Sequence, residues 1–350
     1  MSADRRDRIA GPRVTVIGPG AIGGSIGASL QLAGFPVDVV ARPGSHLQAI
    51  RERGLRLEGA RGTFEVRFAA VRETGDDIGR LELVLLAVKA QQTEAAARLV
   101  ARHLADDGVV VTLQNGLGAE IVARAVGVEH VLPAMVHLPA ERPEPGRVVR
   151  PREGEIYIGE WDGRFTPRLE DVRQRLSPAA RINVTENVWG FVWSKLAFAC
   201  MQCAQALVDA PTSEVMSEDW ARRICAAIES EVAEAARASG VRLESYARID
   251  ASALPVRTAA DLDRTIAMLP RGSASGHNVY WRDLVRRVRG EVHELAGAAV
   301  RVGRAHGLPM RLNARVVELT HEIEEGRREM SWDNLRALEA PTRDLLAAAM

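Results

Sequence analysis

The sequence predicts an α/β chain, with a doubly wound sheet in the N-terminal half followed by an all-α C-terminal domain. Three observations predict it. Short apolar, β-branched runs alternate with amphipathic stretches of helical period as far as residue 186, the pattern of parallel strands covered by helices on both faces. A glycine-punctuated turn joins the first run, Val14–Ile17, to the first helical stretch. From Val188 onward the periodicity is helical almost throughout. The domains are accordingly expected at 1–186 and 187–350, and 47% hydrophobic content in 350 residues suffices for two cores.

The turn reads Gly18-Pro19-Gly20-Ala21-Ile22-Gly23, which fits G-x-G-x-x-G, and helical spacing continues through Ser25–Ala33. Gly18 suits a tight turn, Gly20 lets a pyrophosphate approach the backbone, and Gly23 lets the helix pack closely on the strand. The free N–H groups and positive end of that helix would hold the anion. A glycine-rich turn without a ligand is the alternative. The flanking strand and helix favour a dinucleotide site of the Rossmann type, built from Gly18, Gly20, Ala21, Ile22 and Gly23.

Pro36–Ala41 is the second strand and runs into Arg42. In such a sheet this strand end meets the adenosine ribose. An acidic residue there suits the 2′-hydroxyl of NAD, whereas arginine suits the 2′-phosphate of NADP. Arg42 therefore points to NADP, with Ser45 and His46 as further hydrogen-bonding groups. His46–Arg53 is a short helix, and loose alternation from Leu55 to Ala70 around Gly59 and Gly62 reads as a hairpin. Leu81–Val88 is a buried parallel strand ending in Lys89, Thr93–Leu104 a helix, and Gly108–Leu113 a strand ending in Gln114-Asn115-Gly116-Leu117-Gly118. Lys89 and Asn115 thus stand at the carboxyl ends of neighbouring strands, where open α/β sheets bind ligands. Ile121–Ala125 and Val131–Ala134 add a helix and a strand. Arg147–Val149 and Ile156–Ile158 read as a hairpin that extends the sheet, and Phe165–Leu176 with Ala180–Val184 completes the domain.

In the second domain Trp189–Ala210 is apolar on nearly every face, which makes it a buried helix. Trp220–Ser239 is amphipathic, and Leu262–Leu269 is stopped by Pro270. Arg271–Gly276 reads as a loop, Val279–Ala305 as one long helix, and Arg311–Gly326 as the final well-defined one. The polar stretch 327–350 is expected to pack as a tail or to meet a partner.

Composition excludes several classes of function. Lys and Arg total 46 against 46 Asp and Glu, so there is no electrostatic footprint for nucleic acid. Cys200-x-x-Cys203 lies in a helical pattern without a second ligand pair, and Cys225 makes the count odd. Buried reduced thiols are expected, with no metal site. Met1–Gly11 has no apolar signal core, and the longest apolar run, Leu83–Val88, is far too short to span a bilayer. A cytoplasmic protein without membrane contact is expected. The apolar helices of the second domain leave room for a homodimer.

Lys89 and Lys195 are the only two lysines. Lys195 falls in the buried helix, where a charge is costly unless it is paired or faces a cleft. Ala199, Gln202 and Cys203 share its stripe, and Asp283, Glu291 and Glu294 offer acidic partners. The residues alone leave two readings open: an ion pair that holds two helices together, and a proton donor in a site.

Taken together, these motifs resemble the ketopantoate reductases, NADP-dependent enzymes with a Rossmann domain and a helical C-terminal domain. The resemblance runs from Val14 to about Gly326. It rests on the glycine loop, Arg42, Leu86-Ala-Val-Lys89-Ala, Gln114-Asn115-Gly-Leu-Gly118, Trp193-Ser-Lys195-Leu-Ala, the Asp283-to-Glu291 spacing and His306-Gly-Leu-Pro309. It implies reduction of a 2-oxo acid, 2-dehydropantoate to pantoate in pantothenate biosynthesis, by NADPH. Lys195 would protonate the carbonyl oxygen and Glu291 would bind a substrate hydroxyl and position the lysine. Asn115 would orient nicotinamide ribose and substrate, Lys89 would lie along the cofactor, and Arg42 would hold the 2′-phosphate.

The chain departs from the family pattern in the implied substrate pocket, formed by Ala199, Gln202, Cys203, Asn278 and Asp283. Asparagines usual four and eight residues after the lysine are Ala199 and Cys203, a serine is Val279, and a threonine is Gly290. Losing such groups changes which substrate is preferred. Gln202, His277, Asn278 and Tyr280 are placed to compensate. The alternative is a more apolar pocket for a bulkier 2-oxo acid or related carbonyl. A non-catalytic NADP-binding sensor is a third reading, which retention of Lys195 and Glu291 disfavours.

Overall fold

The structure is a computed structural model that describes residues 13–269 and 276–349. The chain forms two compact units that part between Val188 and Trp189, with Asn115–Leu117 grouped in the second unit rather than the first.

The first unit opens with β1 (Val14–Ile17), α1 (Ala21–Leu32), β2 (Val37–Ala41) and α2 (Ser45–Arg53). Then come β3 (Leu55–Gly59), β4 (Gly62–Val66), β5 (Ala70–Glu73) and β6 (Leu81–Leu86). They are followed by α3 (Thr93–His103), β7 (Leu104–Thr112), α4 (Gly118–Val126) and β8 (Val131–His137). The unit ends with β9 (Glu141–Glu144), β10 (Arg147–Arg150), β11 (Glu155–Ile158), α5 (Pro167–Leu176) and β12 (Arg181–Val184). Local chemistry sets these limits. Thr166 accepts a hydrogen bond from the N–H of Leu169 and Pro167 follows it, so α5 starts there.

The main sheet runs β12-β11-β8-β7-β6-β1-β2-β5. It is parallel except between β8 and β11. Strands β1 and β6 and the Val109–Val111 part of β7 are largely apolar because helices cover both faces, and Val16, Val84, Leu85, Val110 and Val111 are fully buried. The strand order reverses between β1 and β6. That reversal opens a crevice at their carboxyl ends.

The expected hairpin of Arg147–Val149 with Ile156–Ile158 does not form. β10 instead pairs with β3 and β9 in a separate four-stranded sheet, β4-β3-β10-β9, whereas β11 joins the main sheet beside β8 and β12. At the end of β10 the buried Arg150 donates to the carbonyl of Ala179 at 2.8 Å. Strand β5, absent from the sequence reading, adds an edge beside β2 in a stretch with no apolar alternation.

The second unit contains α6 (Val188–Gln205), α7 (Thr212–Val215), α8 (Asp219–Ala238) and α9 (Ala259–Met268). After them come α10 (Trp281–Val285), α11 (Ala296–Ala305), α12 (Arg311–Glu324), α13 (Trp332–Arg336) and α14 (Glu339–Ala349). Helix α8 is the hub, packed by α9, α11, α12 and α14. Its buried Glu231 accepts from the N–H groups of Leu312 and Asn313, so a carboxylate caps the positive end of α12.

The long helix expected over Val279–Ala305 is broken into α10 and α11. Arg287 has φ +48°, and the N–H of Gly290 donates to the Glu324 carboxylate at 2.8 Å instead of to a helical carbonyl. Glycine costs a helix interior about 1 kcal/mol, and here a side chain of α12 takes its donor. The expected loop Arg271–Gly276 lies outside the described residues but for Gly276. The C-terminal stretch folds back: Ser331 and Asn334 donate to the carbonyl of Leu207, and Trp332 packs on Trp220 at 5.9 Å. No helix among the described residues is long and apolar enough to cross a membrane.

Candidate active site

In the first unit the candidate residues gather at the crevice. Gly18 turns at φ +90°, a conformation glycine adopts at little cost. A Cβ there would lie 2.8 Å from both Cγ1 and the backbone nitrogen of Val88, in the loop after β6. The two loops therefore touch at the switch point. Gly20 precedes α1 without any side-chain cap, and a Cβ on it would meet nothing within 4 Å. The first N–H groups of α1 thus stand beside open space. Together with the half-buried Ala21 and Ile22, they fit a dinucleotide pyrophosphate, which needs backbone donors and close approach.

His46 has a different task from the one expected. Its Nε2 donates to the carbonyl of Pro19 at 2.7 Å and its Nδ1 accepts from the N–H of Gly146 at 2.9 Å. Burial lowers its pKa, and the neutral ring pins the glycine loop from behind. It is not available to a ribose. Arg42 is exposed at the end of β2 and makes no ion pair among the described residues. The acidic residue at this edge, Glu73, sits opposite Ala41 in the ladder and is paired with Arg51 at 3.1 Å. Lys89 is exposed just after β6. Gln114, which sequence reasoning passed over, braces this loop: its amide donates to the carbonyl of Val88 and to Thr93 Oγ1. Its place beside Asn115 in the same motif was the available signal.

Lys89 and Asn115 follow the carboxyl ends of β6 and β7, which are adjacent and parallel as expected, although Asn115 groups with the second unit. Gly116 explains the switch, because at φ +78° its Cβ position would lie 2.8 Å from Leu295 Cδ2. Asn115 is therefore anchored beside the segment that carries Glu291.

In the second unit Lys195 is half-buried on α6, whose Leu196, Ala197 and Cys200 are fully buried. Burial lowers its pKa to about 8, and the negative charge of Glu291 works against that lowering. The same Glu291 charge acts on Cys203 and Tyr280, both buried. Ser194 locks the helix by donating to the carbonyl of Glu244 at 2.7 Å.

The expected pocket residues divide. Ala199 and Cys203 are 3% and 0% exposed, packed side chains with no amide to offer. Gln202 is half-buried. Asn278 is committed to structure: its Nδ2 donates to the carbonyl of Gln202, and its Oδ1 accepts from the N–H groups of Tyr280 and Trp281 at the start of α10. Asp283 is half-buried on α10, and a Cβ at Gly290 would lie 3.4 Å from it. Sequence reasoning missed Glu229, a fully buried α8 carboxyl whose pKa burial raises to about 8.

Comparison with known proteins decides the family. Residues 14–163 match the model of ketopantoate reductase PanE/ApbA, and residues 187–324 match that of its C-terminal domain. The chain belongs to the ketopantoate reductase family. It is 30% identical to a 2-dehydropantoate 2-reductase of Halobacterium salinarum over 85% of this chain and 93% of that one. It is 29% identical to the enzyme of that name from Archaeoglobus fulgidus over 90% and 98%. Among solved structures, a PanE/ApbA family ketopantoate reductase from Ralstonia eutropha superposes with TM-score 0.76 at 28% identity, covering 90% of this chain and 99% of that one. A D-mandelate dehydrogenase solved with NADH and anilino(oxo)acetate shares the fold, with TM-score 0.79 at 20% identity over 90% and 99%. In this ketopantoate reductase family member α13 and α14 lie beyond the matched residues.

Proposed function

We propose that this chain reduces a 2-oxo acid to the 2-hydroxy acid with NADPH, and that Lys195 is the proton donor. The observation that carries the reading is Lys195 itself, one of two lysines, half-buried on α6 with its pKa brought to about 8 and Glu291 acting on it. A general acid works best with a pKa near the working pH.

NADPH, when bound, supplies hydride to the carbonyl carbon. The chain supplies the rest. The α1 N-terminus and Gly18–Gly23 hold the pyrophosphate, and Arg42 holds the 2′-phosphate. Glu73, opposite Ala41, is already paired with Arg51. Lys89 would lie along the cofactor, and Asn115 would orient ribose and substrate, as the family resemblance implies. As negative charge builds on the carbonyl oxygen, Lys195 Nζ stabilises it and gives up a proton. Glu291 offsets the cost of keeping the ammonium charged until then and takes a substrate hydroxyl.

The family name makes 2-dehydropantoate the first substrate to test, with pantothenate biosynthesis as its setting. A second reading, a bulkier and less polar 2-oxo acid, is favoured by the packed Ala199 and Cys203 and the committed Asn278 amide. The relation in fold to a D-mandelate dehydrogenase, whose complex holds an aryl oxo acid analogue, is consistent with it. The test is a panel of 2-oxo acids, 2-dehydropantoate and an aryl 2-oxo acid included, with NADPH oxidation followed by absorbance. Turnover of 2-dehydropantoate far above the others supports the first reading, and preference for the aryl acid supports the second. No turnover of any member, with NADPH still bound, would make the chain a sensor and not a reductase.

A further inference from the structure

Two residues past Glu291, the segment between α10 and α11 presents His293 to α12. Its Nε2 lies 2.8 Å from Glu324 Oε2. His321 stands one turn before Glu324 on the same face of α12, and its ring meets that of His293 edge-on at a centroid separation of 5.9 Å. One ligand atom from each of His293, His321 and Glu324 falls within 4.8 Å of the other two. Ligand atoms around a tetrahedral zinc ion are about 3.3 Å apart, given bonds of about 2.0 Å. The three ligand atoms must close by at most about 1.5 Å to reach that spacing.

From this geometry we propose that His293, His321 and Glu324 form a site for a divalent transition-metal ion of the Zn²⁺ class. Two imidazole nitrogens and one carboxylate oxygen are a donor set suited to zinc and poorly suited to magnesium or calcium, which take oxygens. The carboxylate is already oriented: Glu324 Oε1 accepts from the N–H of Gly290 at 2.8 Å, which leaves Oε2 for the ion. Glu325 adds a second negative charge, 3.2 Å from His321 Nε2. Gly290 and His293 bracket Glu291, so a bound ion ties the segment bearing that residue to α12. The binding itself is independent of the reductase reading; only an influence on turnover rests on it. This proposal departs from the expectation of no metal site, which rests on the cysteines, and it turns on His321-x-x-Glu324 on one helix face.

Equilibrium dialysis of the full chain against Zn²⁺ tests the site, with His321→Ala as the variant. His321 is half exposed on the surface of α12, so its removal spares the core, and circular dichroism checks the fold. The expected result is one zinc per chain in the wild type, an affinity at least about tenfold weaker in the variant, and a zinc-dependent rise in melting temperature confined to the wild type. Cobalt substitution should give the visible bands of a nitrogen and oxygen site of low coordination number. No zinc uptake by the wild type, equal uptake by both proteins, or a thiolate-to-cobalt band that moves the ion to the cysteines would each overturn the proposal.

Discussion

The glycine turn of the first unit and the Lys195–Glu291 pair of the second would, on the proposed function, recognise their targets by opposite means. The turn works through backbone: N–H groups at a helix start, with Gly20 leaving space where any other residue would place a Cβ. The pair works through side chains, a lysine on a buried helix and a glutamate on an irregular segment between α10 and α11. A backbone site tolerates no added atoms but asks nothing of side-chain ionisation. A side-chain site depends on pH and on whatever holds the irregular segment in place. The two regions should therefore fail in different ways when altered.

The largest difference is expected at Lys195. Lys195→Ala should lower turnover by about 10²–10⁴, the usual cost of losing a general acid, with NADPH affinity unchanged. Its ionisation adds a second mark. The ammonium is the working form for reduction, so wild-type kcat should hold below pH 8 and fall as pH rises through about 8. The reverse, oxidative reaction needs the neutral amine and should rise over the same interval. Steady-state rates between pH 6 and 10 would show both limbs, and both should vanish in the alanine variant. A profile identical in the two proteins would remove Lys195 from proton transfer.

Arg42 probes the first region from the side-chain direction. Arg42→Ala should weaken NADPH by about 10- to 100-fold, the range for charge-assisted hydrogen bonds to a phosphate, while NADH binding barely changes. Fluorescence titration with both cofactors checks it. Equal losses would show that this edge does not read the 2′-phosphate.

How much of each region was legible in the sequence follows from the same contrast. The glycine turn could be read because strand, turn and helix are contiguous, and the spacing of Gly18, Gly20 and Gly23 encodes backbone geometry directly. The neutral, loop-pinning role of His46 could not, since its partner Gly146 lies 100 residues away. Lys195 and Glu291 stand out in the sequence as chemically conspicuous residues and by resemblance, yet the continuous helix expected through Glu291 does not form. Periodicity from Val279 to Ala305 is real, but the N–H of Gly290 is claimed by Glu324 on another helix, a tertiary contact that local pattern does not contain. Asn278 was misjudged for a similar reason. An asparagine just before a helix is as good a cap as it is a ligand group, and here it caps.

The smallest effects distinguish two glycines in one loop. At Gly18 a side chain is opposed by φ +90° and by backbone 2.8 Å away, whereas at Gly20 it would project into open space. Gly18→Ala should therefore destabilise the chain by about 1–3 kcal/mol, since strained backbone and a close contact act together. Gly20→Ala should cost the fold less than about 1 kcal/mol, the modest penalty of alanine at a helix N-cap. Its methyl group would instead occupy the approach to the α1 N-terminus, and NADPH affinity should fall about tenfold. Thermal unfolding and cofactor titration on the two variants separate stability from binding. If Gly20→Ala bound NADPH as tightly as the wild type, the open space beside that residue would not be where the pyrophosphate sits, and recognition would have to rest on side chains in both regions.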